Sequence, residues 1–207
     1  MASRWDSSFG ARLVSIGDTA IRTGTITLGK VGEIQLVENG VTNAIVPVNL
    51  MVSGTLSITS RTCTVSTGSQ NISVPMGTVN RGTFTGVGST AGGGPFTVQL
   101  SSCSTGLNVY MTVTDGNNSS NISDVLSLTP GAQAATGIGI RITRQGNSQR
   151  VSFGVDSTLP GSAGQMSFGA TTGETMSIPF NSTYVQTQSF VTGGTANALA
   201  TFTMSYQ

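Results

Sequence analysis

The chain has 207 residues, of which 28 are Gly, 31 Thr and 27 Ser, while only 17 are charged and none is His. Without histidine the imidazole-based arrangements of acyl transfer and catalytic zinc are closed to it, and a net charge of +1 with scattered Lys and Arg leaves no basic stripe for nucleic acid. The helix formers are outnumbered by Ser, Thr, Gly and Val, no run approaches the ~18 apolar residues of a spanning helix, and Gly and Pro together stay below low-complexity levels.

In chain order, Met1 to Asp6 lacks the basic start and apolar stretch of a secretory signal, so none is expected there. Short strand candidates follow at Leu13, Val14 and Ile16, at Thr25 to Leu28 and at Ile34 to Val37, separated by Gly17, Gly24, Gly29, Gly32 and Gly40. About 45 residues is close to the lower limit for a core of their own. The segment is therefore expected to pack on the rest or to be the remnant of something larger. Within it, Gly24 to Val31 comes within one residue of a phosphate-binding loop; Val31 stands where Ser or Thr would hold magnesium, and no helix follows, so no nucleotide site is expected.

From about residue 44 the apolar period is two. Val46, Val48, Leu50 and Val52 point one way, and the pattern repeats at Phe96, Val98 and Leu100, at Val109, Met111 and Val113, and at Ile138, Ile140 and Ile142. It recurs at Val151, Phe153 and Val155 and at Met176, Ile178 and Phe180. Turn clusters separate these runs: Gly92-Gly93-Gly94-Pro95, read as a flexible connection, then Asp115-Gly116-Asn117-Asn118, Gln145-Gly146-Asn147 and Pro160-Gly161-Ser162. The spacing is that of an all-β sandwich, with room for one short helical turn in a loop.

Cys63 and Cys103 lie 40 positions apart, each at the edge of a strand pattern. Two cysteines without histidine cannot complete a zinc site, which leaves a disulfide or two free thiols. A disulfide is the expectation; it would imply an oxidising compartment and contribute about 4 kcal/mol in the chain-entropy model. Asn-X-Ser/Thr triplets at Asn71, Asn118, Asn121 and Asn181 are what a Ser/Thr-rich chain yields by chance. Asp115, Asp124, Asp156 and Glu174 are isolated from one another and read as solvated loop charges, and no catalytic residue, metal or cofactor is expected. The last run, Ala198 to Gln207, places Ala200, Phe202, Met204 and Tyr206 on one face and Thr201, Thr203 and Ser205 on the other. An immunoglobulin-like sandwich needs about seven strands, and a final apolar strand with nothing beside it exposes a groove.

At these residues the chain resembles the pilin domains of chaperone–usher fimbriae, most closely the type 1-like pilins, from about Gly54 to Gln207. The resemblance rests on Cys63-Thr64-Val65, the stretch Val74 to Val79, Phe96 to Leu100 leading to Cys103, Gly137 to Ile142, the penultimate Tyr206 and Gly194, fourteenth from the end. It implies an all-β, incomplete immunoglobulin-like sandwich missing its final strand, completed by a donor strand. Carried onto this sequence, Ala200, Phe202, Met204 and Tyr206 would be the edge used first by a periplasmic chaperone and then by a neighbouring fimbrial subunit's donor strand at the outer-membrane usher. Thr55, Leu56 and Ile58 would form the opposite wall, and the chaperone's basic residues would anchor the carboxylate of Gln207.

The 62 residues before Cys63 exceed a donor extension alone. The run from Arg12 to Ile26 is similar to the closing strands of an adhesin's receptor-binding domain, with a linker near Glu38-Asn39-Gly40-Val41. The implied division is therefore residues 1–45, a remnant of a receptor-binding domain plus linker, and residues 46–207, a pilin domain. Such a protein would sit in the fimbrium at the bacterial surface, reached through the periplasm, with a host receptor bound through the missing domain. The competing expectations are an internal pilin that donates Val46, Val48, Leu50 and Val52 to a neighbour, and a closed secreted β-sandwich that binds carbohydrate.

Overall fold

The computed structural model describes residues 24–27, 29–34, 37–38, 41–42, 48–51, 55–58 and 61–207. The strand expected at Leu13, Val14 and Ile16, and Val46 and Val52 of the donor-like run, lie outside these residues. The chain divides into two compact units, Met1–Ser60 and Arg61–Gln207.

In the first unit three antiparallel pairs are nested by sequence. β1 (Gly24–Thr27) pairs with β6 (Thr55–Ile58), β2 (Lys30–Ile34) with β5 (Val48–Met51), and β3 (Val37–Glu38) with β4 (Val41–Thr42). Val37 stands opposite Thr42 and Glu38 opposite Val41.

The second unit holds seven strands in two sheets. One has the order β10 (Ile138–Arg144), β12 (Met176–Gln186), β8 (Thr90–Ser101), β7 (Thr64–Val65); the other has β11 (Met166–Ala170), β9 (Asn108–Asp115), β13 (Ala200–Tyr206). All the pairings between these strands are antiparallel. Period-two alternation explains the sandwich: Val98, Leu100, Ile140, Ile142, Ile178 and Phe180 from one sheet meet Val109, Met111, Val113, Met166 and Phe168 from the other in a single core. At its centre Phe180 is 1% exposed, stacked 5.2 Å from Phe96 and edge-on 6.0 Å from Phe168. The only α-helix among the described residues is the single turn α1 (Thr67–Gln70).

Three expectations are corrected. The glycine run is no connection but part of β8, where Gly94 stands opposite Ser182 and the register shifts between Ser182 and Tyr184. Gly93 has φ 109°, and a Cβ there would collide with the Ser182 backbone, so glycine is needed for a bulge and a close approach rather than for flexibility. The alternation at Val151, Phe153 and Val155 forms no extended strand; Val151 and Phe153 are buried and held through the isolated bridge of Phe153 to Val113 and the Val151 N–H to Ile142 O bond, while Val155 is exposed. Asp115 is 1% exposed rather than solvated, and Asp124 pairs with Arg141 at 3.1 Å and Arg150 at 2.9 Å.

Candidate functional site

Cys63 and Cys103 form a disulfide, S–S 2.07 Å, that ties the approach to β7 to the exit of β8. The Ser66 N–H donates to Gln99 O and the Ser69 hydroxyl accepts from Gln99 N–H, which carries the chain over the short helix α1 into an extended segment at residues 71–77. Gly94 lets this segment lie across β8, since a Cβ there would stand 2.9 Å from Pro75 O. The Gly93 N–H donates to Met76 O at 3.3 Å, and the Ser182 hydroxyl lies 2.9 Å from Met76 Sδ and 2.8 Å from Gly94 O.

Between this segment and the run Ala196–Phe202 a trench of about 1080 Å³ opens. Ile72, Val74 and Met76 stand on one wall and Ala196, Ala198, Ala200 and Phe202 on the other; Phe96, Val98, Met111, Val113, Leu126, Ile140, Ile142, Val151 and Phe180 make the floor. None of the lining residues is charged. The trench therefore presents mainly apolar contact, with a few neutral polar side chains such as Ser73, Ser182, Tyr184 and Asn197.

The backbone of β13 supplies hydrogen-bonding groups. Asn108 and Gln207 exchange both of theirs at 3.0 Å, and the Gly116 N–H donates to Leu199 O at 2.8 Å. By antiparallel alternation the odd-numbered residues of β13 are then bonded to β9, and the N–H and C=O groups of Ala200, Phe202, Met204 and Tyr206 point to the other edge. No strand pairs with that edge among the described residues. The same four side chains are half-buried against the core, and burial raises the phenol pKa of Tyr206. On the opposite face Thr203 donates to Asp156, and Gln165 Nε2 donates to the Ser205 hydroxyl at 3.1 Å, so the 156–165 loop covers that side.

Of the residues picked from sequence, the structure brings Ala200 and Phe202 into the trench, leaves Met204 and Tyr206 farther along the same edge, and pairs Gln207 with Asn108. Gly194 lines a smaller cavity of about 300 Å³, where a Cβ would stand 2.5 Å from Gln133 O. Thr55, Leu56 and Ile58 belong to β6, paired with β1; their side chains lie outside the described residues. Among the described residues, Ile72, Val74 and Met76 face β13 across the trench. Their period-two spacing is visible in the sequence, but the run is interrupted by Pro75 and bound to no ladder, so it does not read as a strand.

A family model described as "Fimbrial protein" matches residues 50–207. Among curated relatives, the F17d-G fimbrial adhesin of Escherichia coli is 35% identical over 153 residues, which cover 74% of this chain and 44% of the adhesin. The probable fimbrial subunit LpfE of Escherichia coli O157:H7 is 29% identical over 152 residues, covering 73% of this chain and 80% of that subunit. The chain thus spans less than half the length of the adhesins it matches. Among solved structures, the CupB6 tip adhesin from Pseudomonas aeruginosa superposes with a TM-score of 0.57 at 22% identity, over 80% of this chain and 46% of that one. The P pilus rod subunit PapA gives 0.51 at 19%, over 70% and 99%. The fold is that of these pilus subunits, an immunoglobulin-like sandwich with a strand missing.

Proposed function

The chain belongs to the fimbrial protein family, a structural subunit of a pilus at the cell surface rather than an enzyme, and from that premise we propose that it carries the pilin domain of a tip adhesin. In this reading residues 46–207 are the pilin domain and residues 1–45 the end of a receptor-binding domain with its linker. A donor strand from the neighbouring subunit fills the trench and pairs with Ala200, Phe202, Met204 and Tyr206, and a periplasmic chaperone holds the same edge beforehand and anchors Gln207 until the usher exchanges the strands. Ile72, Val74 and Met76 serve as the facing wall, and Gly194 belongs to the groove. The observation that carries the reading is an apolar trench running beside an unpaired strand edge. The match to fimbrial adhesins over less than half their length supports the tip position; the match to 80% of a fimbrial subunit favours, as the second reading, an internal pilin.

The test is capture by a co-expressed periplasmic chaperone. Deletion of Phe202 to Gln207 abolishes capture and Tyr206→Ala weakens it; wild-type pull-down by both variants would refute the assignment. A stable monomer obtained without any added strand points to a closed, carbohydrate-binding sandwich instead. Rapid proteolytic clipping before Gly54 favours the internal pilin over the adhesin.

A further inference from the structure

Asp115 ends β9 directly opposite Ala200, at one end of the trench, and is 1% exposed. Its Oδ1 accepts from the Asn117 N–H at 2.9 Å and the Asn118 N–H at 3.2 Å, and its Oδ2 accepts from Asn121 Nδ2 at 2.8 Å and the Ser127 N–H at 2.9 Å. Both ion pairs described on this loop belong to Asp124, and the donors described to the Asp115 carboxylate are neutral. The loop it gathers reaches the trench twice. Leu126, next to Ser127, lies in the floor and exchanges backbone bonds with Ile140 at 2.7 and 3.1 Å. On the wall side, the Thr129 N–H donates to Asn197 O at 2.7 Å, as Gly116 does to Leu199 O.

From this we infer that Asp115 is a positioning residue, which holds the floor at Leu126 and the wall at Asn197–Leu199 in the shape that receives a strand. The inference rests on the strand-acceptor reading above. An apolar trench gains by closing on itself, because apolar surface leaves water; the bonds from the clamped loop oppose that closure at the end where the wall residues are alanines. The chemistry demands a carboxylate. Four donors converge on two oxygens, which an acceptor-only group satisfies, whereas the amide of Asn would turn its own N–H₂ toward two of them. Preorganisation of this kind shows in how fast a strand enters, because a bound strand itself pins the wall.

The experiment uses the full oxidised chain and a labelled synthetic peptide of about ten residues, long enough to run along β13, with Val alternating with Thr. Association and dissociation rates are measured beside the melting temperature. Asp115→Asn is expected to bind about tenfold more weakly, the size of one unmet buried hydrogen bond, with the loss in the association rate. Asn121→Ala, which removes one donor, shows a smaller loss of the same kind and decides the matter if Asp115→Asn does not fold. Asp124→Asn removes a charge and two ion pairs from the same loop but leaves the clamp, and binds like wild type. Wild-type association by a folded Asp115→Asn or Asn121→Ala, or an equal loss in Asp124→Asn, overturns the inference. Failure of the wild-type chain itself to bind counts against the strand-acceptor reading, and the clamp falls with it.

Discussion

Replacing both cysteines by alanine tests how the trench wall is held. The bond joins residues 40 apart, and the loop it closes contains α1, the wall segment 71–77 and all of β8. For a loop of that length, restriction of the unfolded chain amounts to about 4 kcal/mol. The direct loss in the folded state is smaller, because each change deletes one buried sulfur, on the order of 1 kcal/mol. Against a typical total of about 5–15 kcal/mol the double variant is thus severely weakened. With an m-value of about 2 kcal/mol per molar urea, the midpoint should fall by about 2 M, followed by far-UV circular dichroism. The m-value should also rise, since the unlinked chain exposes more surface when unfolded. A fall of less than about 0.5 M, or a full-size fall at unchanged m, would refute the account that the bond acts through the unfolded chain.

Phe180→Ala should cost about 3–5 kcal/mol by denaturant unfolding, since it empties the centre of the core between Phe96 and Phe168 and widens the trench floor. Gly93→Ala should lower the melting temperature by about 5 °C or more, because its Cβ meets the Ser182 backbone at φ 109°; an unchanged melt would mean that β8 does not approach β12 as described. For Asp115, burial pushes the carboxyl pKa up, but hydrogen bonds from Asn121, Ser127 and Asn117 outweigh it and hold the group below its ordinary 3.8. A folded-state pKa below the unfolded one means stabilisation that is present above pH 3.8 and is lost as the pH falls through the folded value. The stability difference between wild type and Asp115→Asn should therefore shrink below pH 3.8; a difference that is flat down to pH 2 would contradict it.

The alternation at Val98, Val109, Ile140 and Ile178 is a local property that every strand pair needs, so the sequence by itself determined the two-sheet core and the apolar face of β13. The glycine run at Gly92–Gly94 is ambiguous in sequence because a turn and a bulge use the same residue; only the carbonyl of Ser182, 89 positions after Gly93, shows which is meant. The facing wall and the clamp belong to tertiary structure for the same reason. Ile72, Val74 and Met76 make no ladder that a periodic pattern could report, and Asp115 looks like any loop carboxylate until Asn121 and Ser127 fold back on it. A strand's apolar face is written in its own residues; whether a trench lies beside it depends on segments distant in the chain.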